Sequence, residues 1–256
     1  MKKVYFLSDA HLGSRALKGH DRERLLVRFL DQLKEDASAI YLLGDMFDFW
    51  YEYKLVIPKG YTRFLGKLAE LTDNGIPVHF FIGNHDIWCG DYLEKECGLI
   101  IHREPIITTL LGQKFYLAHG DGLGDPDKKF QLLRALFHNT LLQKLFSTIH
   151  PRWSIDLGLA WAKKSRMKRK DGKSPVFLGE NKDLLVIYSK QYLQKDPSVN
   201  FFIYGHEHIL LDLPLSKSAR IIVLGDWIQY FSYAVFDGQS LQLKQYTENV
   251  TGKETK

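Results

Sequence analysis

Cysteine is almost missing from this sequence. Only Cys89 and Cys97 occur in 256 residues. They lack the companion Cys and His spacing of a zinc site, and one possible pair makes no disulfide framework. Both are therefore expected as free thiols in a reducing compartment. Long apolar runs are missing too: none approaches the roughly 18 residues of a membrane-spanning helix. The stretch Met1-Lys2-Lys3-Val4-Tyr5-Phe6-Leu7-Ser8-Asp9 begins like a secretion signal, but its apolar part is too short for one. Internal repeats and low-complexity segments are also missing. A cytoplasmic protein is expected. With 45% hydrophobic and 25% charged residues the chain can fill a core, which excludes disorder. Its length fits one domain over 1–256 with one large insertion.

Acidic charge is scarce in one region only. Between positions 123 and 173 stand twelve Lys and Arg against four Asp, whereas the net charge of the whole chain is +5. The basic character belongs to that segment and not to the fold as a whole.

What is present alternates in a regular way. Positions 2–7 form a first strand, and 21–36 a helix with Leu25, Leu26, Phe29, Leu30 and Leu33 on one face. A second strand covers 39–43, a second helix 61–73 and a third strand 77–82. The order β-α-β-α-β argues for a layered sheet with helices on its faces. A hairpin over 106–118 turns at Gly112-Gln113, and two helices are expected between 127 and about 170, the second from Ser154. Another amphipathic helix is expected over 177–194, then a strand over 200–204. The tail strands at 209–213, 220–224, 232–236 and 240–246 look antiparallel and joined by turns.

Five strand-like runs end in the same chemistry: Asp9-Ala10-His11, Gly44-Asp45, Gly83-Asn84-His85-Asp86, His119-Gly120-Asp121 and Gly205-His206-Glu207-His208. An open α/β sheet gathers its site at the carboxyl ends of its strands. A mixture of carboxylate, amide and imidazole suits Mn²⁺, Fe²⁺ or Zn²⁺ better than Mg²⁺ or Ca²⁺. The candidate ligands outnumber the four that a single tetrahedral ion takes, and suit two ions sharing a carboxylate. Such a pair stabilises both the entering and the leaving oxygen at phosphorus.

In this order the five blocks resemble the signature of the calcineurin-like metallophosphoesterases. Within that family, Asp9-Ala10-His11-Leu12-Gly13, the loop Gly44-Asp45-Met46-Phe47-Asp48-Phe49-Trp50 and the helical insertion resemble the branch that hydrolyses UDP-2,3-diacylglucosamine in lipid A biosynthesis. The resemblance implies a four-layer α/β/β/α sandwich with a helical cap at about 123–175. It implies two divalent ions, Mn²⁺ expected. Asp9, His11, Asp45 and His208 would hold one; Asp45, Asn84, His119 and His206 would hold the other. By the same resemblance His85 lies near the leaving-group oxygen and is oriented by Asp86, while Asn84 and His85 stabilise the charge at phosphorus. One position departs: His85 stands where that branch carries Arg, and a histidine can donate a proton where an arginine is a fixed cation.

The insertion has three readings. Its Leu and Phe stripe could pack inward beneath solvated Lys and Arg. Alternatively it caps the metals with an apolar chamber for acyl chains, with Arg166, Lys168 and Arg169 facing phosphates and the anionic inner-membrane surface. A UDP-linked glycolipid is then the substrate, and the protein sits peripherally on the cytoplasmic face. The third reading is nucleic-acid binding through the basic run, which lacks interleaved aromatics near 168–173. No nucleic-acid motif and no sign of an obligate protein partner is present. Two alternatives stay open: a phosphodiesterase or pyrophosphatase of a soluble nucleotide, and a metal-binding scaffold without turnover. Asp48 could steady a ligand from behind, and Asp121 could do so for His119 or cap the next helix.

Overall fold

In the computed structural model, which describes residues 2–14, 21–168 and 175–248, four parallel strands are laid down first. They are β1 (Lys3–Leu7), β2 (Ala37–Leu42), β3 (Val78–Phe81) and β4 (Ile100–His102). The crossovers are α1 (Asp21–Gln32), extended by a 3₁₀ turn over Leu33–Glu35, then α2 (Thr62–Asp73) and a short α3 (Tyr92–Cys97). In β1 successive side chains point to opposite faces. Val4 and Phe6 enter one apolar cluster, Tyr5 and Leu7 the other. A strand apolar on both faces belongs in the middle of a covered sheet.

The hairpin β5 (Ile106–Leu110) and β6 (Gln113–Leu117) opens a second sheet. Its turn is Leu111-Gly112, one residue earlier than the sequence suggested; both have positive φ, as a two-residue type I′ turn requires. Three helices follow: α4 (Lys128–His138), α5 (Thr140–Phe146) and α6 (Pro151–Lys168). The sequence suggested two. The break falls at Asn139, whose side chain accepts the amides of Leu141 and Leu142, and α6 opens with a proline at its first position. α7 is Leu184–Lys195. It starts seven residues later than expected, because Asp183 caps it by accepting the Val186 amide.

β7 (Phe201–Tyr204), β8 (Leu210–Pro214) and β9 (Arg220–Leu224) complete the second sheet in the order β5-β6-β7-β9-β8. β7 and β9 pair in parallel, while the tail strands pair with one another antiparallel as expected, β8 with β9 and β10 with β11. β10 (Ser232–Phe236) and β11 (Leu241–Gln245) return to the first sheet, ordered β11-β10-β1-β2-β3-β4. Phe6, Tyr41, Phe115, Ile203 and Phe236 fill the space between the sheets. Leu30 of α1 and Phe64 of α2 cover the outer face of the first sheet, and Leu185 and Val186 of α7 that of the second. The result is the expected α/β/β/α sandwich.

Candidate metal centre

The loops that follow β1, β2, β3, β6 and β7 meet at one end of the two sheets. They bring together Asp9 and His11, Asp45, Asn84 and His85, His119, and His206 and His208. Five of these residues, Asp9, His11, Asp45, His206 and His208, have φ between 42° and 68°. Side chains rarely adopt that left-handed region, and it collects at functional sites where the surroundings enforce it. Gly83 shows how tightly the loops approach. A Cβ there would lie 2.3 Å from Asp45 Oδ1 and 2.6 Å from the Asp45 amide nitrogen.

Two clusters share one carboxylate. In the first, His208 Nε2 lies 3.4 Å from Asp9 Oδ1 and 3.3 Å from His11 Nε2. In the second, His119 Nε2 lies 3.5 Å from Asp45 Oδ2 and 3.3 Å from Asn84 Oδ1. His206 completes the second cluster with Asp45 and His119. Asp45 Oδ2 also lies 3.6 Å from His11 Nε2, so a single oxygen adjoins both clusters. Ligand atoms about 2.1 Å from one ion stand roughly 3.0–3.4 Å from each other, and the 3.3–3.7 Å separations here lie at and just beyond the upper end of that range.

The donor set fits divalent cations. Asp9 Oδ1 is buried without a hydrogen-bond partner, and it faces His208 Nε2 at 3.4 Å and His11 Nε2 at 3.7 Å. His119 Nδ1 is 2.8 Å from the Leu43 carbonyl. A carbonyl only accepts, so Nδ1 carries the proton and Nε2 keeps a lone pair for an ion. Burial pushes the Asp9 carboxyl above its usual range, although His208 and His119 pull it back. Burial acts on Asp45 too, but the imidazoles of His119, His85 and His11 outweigh it and hold that carboxyl well below the usual range.

Asp86 corrects one expectation, for it does not orient His85. Its fully buried carboxylate accepts the amides of Gly83 at 2.7 Å, Met46 at 2.8 Å, Asp45 at 3.3 Å and Phe47 at 3.4 Å. It thus fastens the loop after β2 to the loop after β3. His85 Nδ1 donates instead to the Asp48 carbonyl at 2.9 Å, and its amide donates to Asp45 Oδ1 at 2.8 Å. The Asp48 carboxylate lies 3.4 Å from His11 Nδ1. Asp121 neither caps α4 nor bonds His119; it pairs with Arg134 of α4 at 2.9 Å.

Asp226, after β9, escaped notice in the sequence. Its carboxylate lies 3.0 Å from His208 Nδ1. Burial raises the Asp226 carboxyl, but the His208 imidazole and the amides of Gln229 and Tyr230 leave it below its usual range. The short motif Gly225-Asp226-Trp227, again a strand ending in Gly-Asp, was the available signal.

A cavity of about 860 Å³ opens from these residues towards α4, α5 and α6. Phe49, Trp88, Phe137, Phe146, Leu157 and Trp161 form its apolar wall. The apolar stripe of the insertion is therefore not simply packed inward: Leu133 and Leu142 remain 42% and 41% exposed, Leu141 64%. Arg134 and Lys164 also line the cavity. Helical spacing from Leu157 and Trp161 pointed to Lys164, which the sequence reading passed over. Arg166 and Lys168 fall within α6, but their side chains lie outside what is described, as does the whole of Arg169.

A family model for calcineurin-like phosphoesterases matches residues 2–210. The chain is 44% identical over 254 residues to a UDP-2,3-diacylglucosamine hydrolase of Porphyromonas gingivalis, covering 94% of this chain and 97% of that protein. It is 30% identical over 221 residues to a UDP-2,3-diacylglucosamine hydrolase of Edwardsiella ictaluri, covering 85% of this chain and 83% of that protein. Among solved structures, a dimetal phosphatase from Danio rerio matches with a TM-score of 0.48 at 16% identity, covering 96% of this chain and 99% of that one.

Proposed function

The chain belongs to the calcineurin-like phosphoesterase family, and from that premise we propose that it hydrolyses UDP-2,3-diacylglucosamine to UMP and 2,3-diacylglucosamine 1-phosphate, a step of lipid A biosynthesis. The observation that carries this reading is the cavity, which joins a cluster of metal-type donors to an aromatic chamber suited to acyl chains. A soluble nucleotide has no use for the wall formed by Phe137, Phe146 and Trp161.

Two divalent ions, Mn²⁺ the expected species, would be held by Asp9, His11, Asp45 and His208 on one side and Asp45, Asn84, His119 and His206 on the other. What the ions supply when bound is Lewis-acid stabilisation of the charge that builds on the phosphoryl oxygens. The residues of the chain do the rest. Asp45, an anion adjoining both clusters, ties the two positions together. The Asp48 carbonyl accepts the His85 Nδ1–H and aims Nε2 at the leaving-group oxygen, and the doubly protonated ring would give its Nε2 proton to that oxygen as the bond to phosphorus breaks. Arg134 and Lys164 meet the remaining phosphate charge, with Arg134 steadied by Asp121. Phe49, Trp88 and the helices α4–α6 shield the diphosphate from solvent.

Residues of about 123–175 act as a cap within a single domain, and the cap rests on the cytoplasmic face of an anionic membrane. Among the described residues no helix is long and apolar enough to cross a bilayer. Support for lying on one comes from Trp153, 68% exposed, and from Leu132, Leu141 and Leu145, 63%, 64% and 56% exposed, in a basic segment.

The test is release of UMP from UDP-2,3-diacylglucosamine by the metal-loaded protein, compared across Mn²⁺, Mg²⁺ and Zn²⁺, with a non-acylated UDP-sugar alongside. The acylated substrate should be cleaved, fastest with Mn²⁺, and Asp45→Ala should abolish the activity while circular dichroism stays unchanged. Cleavage of the soluble sugar alone would sink the glycolipid reading.

A further inference from the structure

Asp226 belongs to neither proposed ligand set, yet it is among the most firmly held carboxylates near them. It is 5% exposed. Oδ1 accepts the amides of Ile228, Gln229 and Tyr230 at 3.0, 2.7 and 3.1 Å. That leaves Oδ2 aimed at His208 Nδ1, 3.0 Å away. A carboxylate whose other oxygen already takes three amides is an acceptor here, so the shared proton sits on Nδ1 of His208. His208 Nε2 then presents its lone pair between Asp9 Oδ1 and His11 Nε2. The same segment also grips the Asp9 loop, for the Trp227 amide donates to the Asp9 carbonyl at 3.1 Å. His119 in the neighbouring cluster is backed differently, by the neutral carbonyl of Leu43 at 2.8 Å. An anion behind an imidazole raises its basicity as a ligand and fixes its tautomer.

We propose that Asp226 is a positioning residue that locks His208 in its Nδ1–H tautomer and makes the cation position at Asp9, His11 and His208 the tighter of the two. This rests on the metal reading above and adds to it an order of filling: the Asp226-backed position first, the Leu43-backed position second.

Asp226→Asn separates the tautomer from the fold. The three amides of Ile228, Gln229 and Tyr230 require an acceptor and so hold the asparagine oxygen in place. Its NH₂ must then face His208, which can accept only by moving its own proton to Nε2, where an ion would bind. The experiment titrates metal-stripped protein with Mn²⁺, read by calorimetry and by electron paramagnetic resonance of the free ion. Wild type is expected to bind in two steps of different affinity. In the Asn variant the tight step should weaken on the order of 10- to 100-fold, the weaker step should keep its affinity, and metal-free melting should stay near wild type. An unchanged tight step, or an equal loss in both steps, overturns the proposal while leaving the proposed function standing. Wild type that binds no Mn²⁺ at all overturns that function first. If the variant does not fold, ¹⁵N spectra of His208 in metal-free wild type decide: a proton on Nδ1 supports the assignment, and a proton on Nε2 overturns it.

Discussion

His85 is the residue whose role depends most on what lies behind it. The Asp48 carbonyl fixes its Nδ1 proton, and its ring meets His11 edge-on at a centroid distance of 4.7 Å. Placed beside the clusters and outside both proposed ligand sets, it should affect turnover more than metal content. His85→Ala is expected to lower kcat on the order of 10²- to 10⁴-fold, the range of a lost general acid, with bound metal measured by mass spectrometry nearly unchanged. Loss of metal in step with activity would make His85 a ligand instead. Most of this residue set was legible in the sequence because each member follows a strand, and four of the five blocks carry a glycine. The roles of Asp86 and Asp226 were not. A carboxylate that fastens backbone amides of another loop looks, in one dimension, like a catalytic one.

At the scale of elements, α4, α5 and α6 carry the least expected arrangement. Helical periodicity located the stripe of Phe137, Leu141, Leu145 and Phe146, but periodicity names a face and not what covers it. Phe137 and Phe146 turn to the cavity, while Leu141 and Leu145 face solvent. The core reaches up to hold these helices: Tyr51 Oη donates to the Gln143 carbonyl at 2.7 Å and Trp88 Nε1 to the Phe137 carbonyl at 2.8 Å. The outward residues give a membrane test. Replacing Leu141 and Trp153 with Ser should weaken binding to anionic vesicles, in a flotation assay, equally at low and high salt. Neutralising Lys168, Arg169 and Lys170 should weaken it chiefly at low salt, because screening already removes that attraction at high salt. Vesicle binding untouched by both changes would leave the cap a solvated subdomain.

Over the whole molecule, the alternation of strands and helices was enough to recover the layers, but not the division of strands between sheets. β10 and β11 look like a continuation of β7 to β9, yet they return to flank β1, a pairing fixed by partners from opposite ends of the chain such as Phe6 and Ala234. At the edge of the first sheet His79 Nδ1 and His102 Nε2 lie 2.9 Å apart, and His79 stacks on Tyr41 at 4.2 Å. Burial, and then the neighbouring His102, lower His79 to about 4. In the unfolded chain a histidine takes up its proton near pH 6.5, so between about 6.5 and 4 the unfolded state binds more protons and stability falls as the pH falls. Thermal melts across that window should show the decline, and His79→Phe should flatten it; an equal slope in the variant would place its origin elsewhere. The left-handed backbone at Asp9, His11, Asp45, His206 and His208 has a consequence for how such a chain can drift. Each position prefers glycine for its conformation and needs its own side chain for its chemistry, at a cost of order 1–3 kcal/mol per residue. His206→Gly should therefore melt no lower than wild type when metal-free, and lose the rise in melting temperature that Mn²⁺ gives the wild type. Stability alone would favour glycine in each of these loops, so the side chains found there stand at a cost to the fold and give the centre its capacity to hold a cation.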